Sequence, residues 1–294
     1  MIALERKVLP ATQMVHHDVA GFLKGLSVFG DWQACLVTEG LKHHVVNQFS
    51  SMRTRGQRIM GEAPGIQASF FSQKIYAVAV DWLDGLCFLN FKDRAGVPHY
   101  RLRSLAEPGS VLAERLKDWV AAFASQNSIG FKRFNACRQT RQIDKDAVRQ
   151  AWQQLVHPQQ AASIFKAHQY QLLDLYQALS PDFAKQMDRQ FILQVIETCR
   201  NERLSLSFTA RNACLTQAHV GRIKQGLDDE QHIVIRDTGF KLELSDLSSL
   251  GVWQLRIPSR HKVIHQIKLF NRLGQEILSI DSPRPSVVWN NLFV

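Results

Sequence analysis

The feature that most constrains the fold is a pattern that occurs twice along the chain. Residues 86–104, LCFLNFKDRAGVPHYRLRS, and residues 265–282, HQIKLFNRLGQEILSIDS, each contain two alternating apolar runs around a polar turn that ends in glycine. Such a turn between two alternating runs is typical of a β-hairpin. Two pairs of residues have almost the same separation: Phe91 and Phe270 (270 − 91 = 179), and Gly96 and Gly274 (274 − 96 = 178).

A second pair of segments has a similar separation. Residues 34–47, ACLVTEGLKHHVVN, and residues 206–221, LSFTARNACLTQAHVG, are both rich in β-forming residues and carry a histidine near their end. His43 and His219 are 176 residues apart (219 − 43). A segment that recurs at one offset indicates a duplicated structural unit. We therefore predict that the two halves superpose strand for strand, with Phe91 over Phe270 and His43 over or near His219.

Helical patterns precede and separate the strand-rich halves. Asp144 is a suitable N-cap for the segment after it, and residues 18–29 and 110–125 are also predicted to be helical. Ser180 followed by Pro181 predicts another helix start, since proline is favoured at the first helical position. Strand runs preceded by helices, rather than alternating βαβ units, favour an α+β fold.

The predicted fold is thus α+β, with two similar halves produced by internal duplication. Each half is expected to be one α+β unit. We place the N-terminal repeat at residues 1–135 and the C-terminal repeat at residues 136–294.

Composition restricts the class of protein. Hydrophobic residues make up 45% of the 294 residues, which is sufficient for an extensive core. No apolar run approaches the roughly 20 residues that a membrane span requires, and the N-terminus does not have the pattern of a signal peptide. The five scattered cysteines lack CxxC spacing, which argues for a reducing compartment and against a zinc site. We predict a cytoplasmic protein.

The charge favours anionic partners, because lysine and arginine exceed the acidic residues by 10. Two stretches are basic, RTRGQR and FKRFNACRQTR, and both are interpreted either as solvated surface or as partners for the acid groups of a ligand. Their basic residues are Arg53, Arg55 and Arg58 in the first, and Lys132, Arg133, Arg138 and Arg141 in the second. No helix-turn-helix, RRM or zinc-finger pattern accompanies the charge, so a nucleic-acid partner has little support. GxGxxG, P-loop, HExxH and GxSxG motifs are absent from the sequence as well.

Three segments together resemble the HemS/ChuS-type hemin-degrading (haem utilisation) family. They are FTARNACLTQAHVG and IKLFNRLGQEILSI in the second half and LCFLNFKDRAGVPHYRL in the first, and the likeness extends over residues 18–293. The resemblance implies two HemS-like repeats, each a large antiparallel β-sheet flanked by helices, with haem bound in a cleft beside the sheets. It also implies a cytoplasmic role in bacterial haem and iron utilisation, in which haem is either trafficked or degraded.

The resemblance also locates a candidate haem site, which differs from the family pattern. In WQQLVHPQQAA, Trp152 and Leu155 match the family helix W-x-x-L-T-D-x-H-x-F-F, but the axial histidine position is Gln159. The family's arginine in I-D-L-R-L-F is replaced by Ser69 in GIQASFF. Glutamine is a poor axial ligand for ferric haem, which favours His, Met, Tyr or thiolate. His157 is therefore the candidate iron ligand.

The remaining candidate cofactor-binding residues, with His157, are Gln159, His168, Arg53, Arg55 and Arg133. We expect a haem-binding protein with an altered axial-ligand site, in which ring opening is low or absent. The alternative is a non-enzymatic relative that has lost haem binding and binds another anionic planar ligand or a protein partner. The oligomeric state is left open.

Four further residues have reactive or ligating side chains, and three of them are expected to be structural. His43 and His44 are adjacent in a predicted strand, so they point to opposite faces and one of them should be in the core. His219 is expected in the core too. Cys35 is predicted to be a buried core residue rather than a nucleophile.

Overall fold

The computed structural model describes residues 13–15, 18–47, 51–63, 65–125, 130–131, 143–157, 160–161, 164, 171–228, 231–260 and 262–293. No helix in this part of the chain is long and apolar enough to cross a membrane. The chain divides into two compact units. Unit 1 is made of residues 1–37, 44–134 and 213–215, and unit 2 of residues 38–43, 135–212 and 216–294. The assignment of one family repeat to residues 1–135 and another to 136–294 stays a prediction.

The strands of the first half alternate buried and exposed residues, as expected for sheets with one packed face. They are β1 (Gln13–Val15), β2 (Trp32–Thr38), β3 (Leu41–Asn47), β4 (Ser51–Arg55), β5 (Arg58–Ala63), β6 (Ile66–Phe71), β7 (Ala77–Leu83), β8 (Leu86–Lys92), β9 (Pro98–Ser104) and β10 (Ala124–Ser125). The helices are α1 (Val19–Gly25) and α2 (Val111–Phe123), with 3-10 turns at Leu26–Val28 and Ser72–Lys74. In unit 1, six neighbouring antiparallel strands have the order β10-β1-β7-β8-β9-β2, and three have the order β4-β5-β6.

Unit 2 contains the second set of strands in the same arrangement. They are β11 (Ala184–Met187), β12 (Ser205–Arg211), β13 (Leu215–Arg222), β14 (Gln225–Asp228), β15 (His232–Asp237), β16 (Phe240–Ser245), β17 (Gly251–Pro258), β18 (Val263–Phe270) and β19 (Glu276–Asp281). The helices are α3 (Lys145–Gln153), α4 (Leu172–Ala178), α5 (Arg189–Asn201) and α6 (Val287–Asn291), with a 3-10 turn at Leu247–Ser249. Six neighbouring strands have the order β11-β17-β18-β19-β12-β13, and three have the order β14-β15-β16.

Strand register confirms the predicted duplication. Cys35 is the cross-strand partner of Arg101 between β2 and β9, and Thr209 is the partner of Ser279 between β12 and β19. Equivalent residues are therefore 174 apart in β2 and β12 (209 − 35) and 178 apart in β9 and β19 (279 − 101). The helices agree, since α1 contacts β4 in unit 1 and α5 contacts β14 in unit 2. The α+β fold with two similar halves is thus the observed one.

The β8–β9 and β18–β19 hairpins close with the same turn. The Asp93 carboxylate accepts hydrogen bonds from the backbone N–H groups two and four residues later, at 2.8 and 3.0 Å. The Asn271 side chain accepts the two equivalent bonds at 3.1 and 3.0 Å. Gly96 and Gly274 have φ of +79° and +74°, a conformation that glycine adopts without strain. These two turns are 178 residues apart (271 − 93), as the glycines predicted.

One predicted residue equivalence is wrong. The ladder shifts register between Phe91 and Lys92 in unit 1 and between Leu269 and Phe270 in unit 2, so Phe270 is equivalent to Lys92. Phe91 is equivalent to Leu269 instead. Counted from the first residues of β3 and β13, His43 is equivalent to Gln217, two residues before His219, which agrees with the predicted position over or near His219. A repeat in composition did not reveal the shift at Phe91, because register is set by hydrogen bonding between strands.

Most local helix signals are confirmed. The side chains of Asp18, Ser110 and Asp144 cap α1, α2 and α3 by accepting backbone hydrogen bonds. The helix start predicted at Ser180 and Pro181 is wrong, because Ala184–Met187 is strand β11, paired with β17. The helix of this region begins only after its N-cap Asp188. Pairing with a distant strand thus overrides the local helical pattern.

Candidate functional site

One face of the six-strand run in unit 2 carries polar side chains that are only partly buried. Direct cross-strand partners point to the same face of a sheet. The pairing of β17, β18, β19, β12 and β13 therefore places one residue of each strand in a row, and two such rows lie on this face. The first row is Trp253, Lys268, Ser279, Thr209 and Ala218, and the second is Leu255, Gln266, Asp281, Ser207 and Val220. We call these ten residues the floor of unit 2. Lys268 and Ser279 are buried, whereas the neighbouring Thr209, Gln266 and Asp281 remain partly accessible.

A buried ionic cluster lies at one end of the floor. The Lys268 ammonium donates to Glu276 Oε1 at 3.0 Å, and Arg211 Nε is 3.2 Å from the same oxygen. Burial lowers the pKa of Lys268, and the nearby Glu276 carboxylate partly offsets that effect. Two cations thus share this carboxylate, and Lys268 also interacts with the Asp281 carboxylate on the floor. Arg211 is partly accessible, so it is the cation that can meet the acid group of a ligand.

An apolar wall borders the floor on the side of β17. It consists of Trp152, Tyr176, Trp253, Leu255, Ile257 and Phe270, which belong to one hydrophobic cluster. The Tyr176 ring centroid is 6.1 Å from that of Trp152 and 5.8 Å from that of Phe270, both in edge-to-face geometry. Burial and the Glu276 carboxylate raise the pKa of Tyr176, so its hydroxyl stays protonated at neutral pH. We call these six residues the wall of unit 2.

The segment that carries the candidate iron ligand is fixed to this wall. Trp152 is fully buried and its Nε1 donates to the Arg256 carbonyl at 3.3 Å. Arg256 lies on β17, and the Arg260 N–H just beyond that strand donates to the Val156 carbonyl at 2.9 Å. Trp152 and Leu155, the two residues that match the family helix, both belong to the hydrophobic cluster.

His157 follows this anchored stretch and its side chain is exposed. The Gln160 side-chain oxygen accepts hydrogen bonds from the Val156 and His157 backbone N–H groups at 2.9 and 2.8 Å. These bonds fix the backbone at His157. Of the other predicted ligands, Gln159 and His168 lie outside the described residues.

The basic residues predicted to contact acid groups lie in unit 1 where they are described. Arg53, Arg55 and Arg58 are exposed, and Arg55 and Arg58 are direct cross-strand partners, so all three point to one face of the β4–β5 hairpin. The Arg58 guanidinium lies 4.9 Å from the Phe71 ring centroid. Met60 is the cross-strand partner of both Arg53 and Ser69, so Arg53 shares a row with the position of the family's arginine. Arg133, with Lys132, Arg138 and Arg141, lies outside the described residues.

The histidines expected in the core are buried, His43 and His219 among them. His43 is fully buried while His44 is partly buried. His219 is buried and stacks on Phe240 with ring centroids 4.1 Å apart. Burial lowers the pKa of His219, and Asp237, 3.6 Å away, only partly offsets this. Cys35 is partly buried rather than in the core, which corrects the expectation for it.

Sequence reasoning missed the cluster of Lys268, Arg211 and Glu276. The available signal was a charged residue within each of three alternating apolar strands, but the sequence does not reveal which strands pair. Within the described residues, no three His, Cys, Asp or Glu side chains are grouped as a metal site would require. A cavity of about 190 Å³ at the start of α5 is smaller than the roughly 300 to 1,000 Å³ of typical ligand pockets.

Comparison with known proteins agrees with this architecture. Residues 169–290 match the model of the haemin-degrading HemS.ChuX domain. The fold is similar to that of apo-PhuS, a heme-binding protein from Pseudomonas aeruginosa, with a TM-score of 0.86 and 20% identity over 96% of this chain and 86% of that chain. It is similar too to the heme degrading enzyme ChuS of Escherichia coli O157:H7, with a TM-score of 0.84 and 16% identity over 96% and 85% of the two chains. No curated protein matches this sequence. The match over residues 169–290 supports the resemblance inferred from the sequence.

Proposed function

We propose, on the premise that residues 169–290 form a domain of the HemS.ChuX type, that this chain binds haem and takes part in haem utilisation. The observation that carries the proposal is the floor of unit 2, which places the Arg211 and Lys268 side chains beside an aromatic and aliphatic wall. A haem offers a large apolar ring and two carboxylates, and ligand pockets of this type combine apolar lining with a few placed polar groups. The relatives of the same fold include a heme-binding and a heme degrading protein.

The proposed roles of the residues follow their chemistry. Arg211 and Lys268 would hold a propionate, since a guanidinium can meet a carboxylate with two parallel hydrogen bonds. In unit 1, Arg53 and Arg55 are proposed partners for acid groups, as is Arg133. His157 would ligate the iron, with Gln159 and His168 beside it in the sequence. When bound, haem supplies redox chemistry whose course depends strongly on its axial ligand.

Binding without efficient ring opening is the form of the function that we propose. The axial position of the family pattern is Gln159, and axial ligation is one of the protein's main controls on iron reactivity. Burial of the ring in an apolar pocket contributes affinity even without a strong axial bond. We propose a cytoplasmic location as well.

The second candidate is a relative that does not bind haem and takes another anionic planar ligand or a protein partner. One observation favours it. Glu276 already accepts from Lys268 and lies 3.2 Å from Arg211, so much of the positive charge at the floor is neutralised within the protein. A ligand with a single acid group would then suit the site as well as a dicarboxylate.

A hemin titration followed by absorbance distinguishes the two candidates. We expect a saturable Soret band for the wild type, weaker binding for His157→Ala, and a sharper band with tighter binding for Gln159→His. His232→Ala, which removes another exposed histidine of unit 2, is the matched control and should bind like the wild type. A wild type without saturable binding would reject haem. If His157→Ala and Gln159→His both bind like the wild type, the ligand site lies elsewhere.

The floor is tested separately with Arg211→Gln. Loss of a hydrogen bond to a charged group of about 1.5 to 3 kcal/mol corresponds to roughly 10- to 100-fold weaker hemin binding. Arg236→Gln, which removes an exposed arginine of β15, is the matched control. Equal affinities for the two variants would exclude the floor as the propionate site.

A further inference from the structure

The face of unit 1 that is equivalent to the floor of unit 2 carries a different set of side chains. Successive cross-strand partners place Ala79, Asn90, Arg101 and Cys35 in one row. The Cys35 side chain is partly buried, so it is accessible to small molecules. It occupies the position that Thr209 has in unit 2. Unit 1 thus has a thiol where unit 2 has a hydroxyl.

A proton acceptor lies within reach of this thiol. Cys35 Sγ is 3.7 Å from His44 Nε2 and 3.8 Å from the carbonyl oxygen of Leu36. The Cys35 S–H can therefore transfer its proton to the imidazole, whereas the carbonyl accepts only a hydrogen bond. A nucleophile and a base at hydrogen-bond distance are the arrangement that activates a thiol. Counted from the starts of β3 and β13, the equivalent of His44 in unit 2 is Ala218.

Two guanidinium groups flank Cys35 on the same face. Arg101 is its direct cross-strand partner, and Arg101 Nε donates to the Asn90 side-chain oxygen at 2.9 Å. Arg103 lies in the next row, where one terminal nitrogen donates to Gln33 Oε1 at 3.4 Å. The Arg103 Nε is buried and has no hydrogen-bond partner among the described residues. Cations on the same face attract an anionic reactant.

The other described cysteines have the opposite environment. Burial raises the pKa of Cys87, Cys199 and Cys214 to about 12, with nearby Asp81 and Asp93 adding to the effect for Cys87 and Cys214 respectively. Thiols in such surroundings are inert, because the thiolate is the reactive form. Cys137 lies outside the described residues.

We propose that Cys35 is a reactive thiol that forms a mixed disulfide with small anionic disulfides. The Cys35 proton passes to His44, and the thiolate then attacks one sulfur of the disulfide. One S–S bond forms to Cys35 while the S–S bond of the reactant breaks, and the second half leaves as a thiolate. The reactant is itself the oxidant, so the exchange needs no other partner. Arg101 and Arg103 select reactants with carboxylate groups.

The test uses the folded full chain and two disulfide probes that differ in charge. Dithiobis(nitrobenzoate) carries two carboxylates, and dithiodipyridine is neutral. We expect one fast thiol with the anionic probe, and its absence in Cys35→Ser. Peptide mapping of the labelled wild type should place the adduct on Cys35, which keeps the assignment testable if the serine variant fails to fold. A fast thiol that persists in Cys35→Ser, or an adduct mapped to another cysteine, would overturn the proposal.

Two further variants separate the base from the cations. Arg101→Gln should slow the anionic probe severalfold and leave the neutral probe unchanged. His44→Gln should slow both probes at neutral pH, and the difference from the wild type should vanish at about pH 10, where free thiols ionise without a base. Equal slowing of both probes by Arg101→Gln would contradict the selection for anions. A wild-type rate in His44→Gln would contradict the proton transfer.

Discussion

The same six-strand arrangement presents two different faces in the two units. In unit 2, Trp253 and Leu255 belong to the wall, and Lys268 lies buried beside them. Register gives their equivalents in unit 1 as Ala79, Asp81 and Asn90. One face is therefore packed and contains a buried ion pair, whereas the other has polar side chains and an accessible thiol.

The difference shows which constraints the duplicated fold retains. The hairpin turns, the register shifts and the contact between the first helix and the three-strand run occur in both units. These features depend mainly on backbone hydrogen bonds. Such bonds form equally well with most side chains on the strands. Side chains on one face of a sheet do not alter that ladder, so they could diverge independently. We expect substitutions that exchange residues between the units to reveal the difference directly.

The largest effect should come from Trp253→Ala, which gives unit 2 the residue that unit 1 has at this position. Trp253 is 6% exposed, and truncation of a buried aromatic side chain destabilises a protein by about 3 to 5 kcal/mol. Leu83→Ala, at the unit 1 equivalent of Ile257, is the control. Leu83 is 49% exposed, so its loss should change stability by no more than about 0.5 kcal/mol. Urea unfolding followed by circular dichroism measures both, and equal losses would contradict a wall confined to unit 2.

Lys268→Asn, which also introduces the unit 1 residue, should have the next largest effect. The change leaves Glu276 buried with Arg211 alone, and removal of one partner from a buried ion pair costs about 3 kcal/mol. Lys262→Asn, an exposed lysine just before β18, is the matched control and should be nearly neutral. The same unfolding measurement applies. A Lys268→Asn protein as stable as the control would mean that Arg211 alone compensates the carboxylate.

Replacement of Gly96 or of Gly274 by alanine should reduce the stability of the protein by similar amounts, since the two turns are alike. Both losses should be smaller than those expected for Trp253→Ala and Lys268→Asn. The left-handed conformation costs a non-glycine residue about 1 to 2 kcal/mol. The loss at Gly96 should be the larger, because an added Cβ would also lie 3.0 Å from the Phe131 ring. Gly130→Ala, where a Cβ meets nothing within 4 Å, is the control. Thermal unfolding that detects a loss at only one of the two turns would argue against their equivalence.

The smallest effect should be the pH dependence introduced by Asp93. Burial acts to raise the pKa of Asp93, but hydrogen bonds from His99 and from the backbone hold it below its usual range. The ionised carboxylate thus stabilises the fold at pH values above the unfolded pKa, about 3.9, and this contribution is lost as pH falls through the folded pKa. Asp93→Asn, which copies Asn271, should be slightly less stable than the wild type at neutral pH.

The difference between Asp93→Asn and the wild type should shrink below about pH 4. The converse variant, Asn271→Asp, serves as the control, because Ile277 lies at the position equivalent to His99 and supplies no partner. Unfolding curves at several pH values measure both. A constant difference across acid pH would show that the Asp93 charge contributes nothing.

The sequence alone predicted the duplicated α+β fold, the hairpins, three helices and the N-cap of one of them. Those signals are local, because a turn glycine or an N-cap such as Asp144 acts within a few residues of the chain. The family resemblance likewise rests on the order of short segments. It directed attention to Trp152 and Leu155, which the structure places in the wall cluster.

The tertiary structure alone decided the register, the strand at Ala184–Met187 and the contents of the two faces. Lys268 and Glu276 meet because β18 pairs with β19 after a shift of one residue, which no local pattern reveals. Cys35 and His44 are nine residues apart, yet strand geometry brings their side chains together. Cross-strand neighbours are set by hydrogen bonding between strands, and a change of one residue in register moves every side chain to the opposite face.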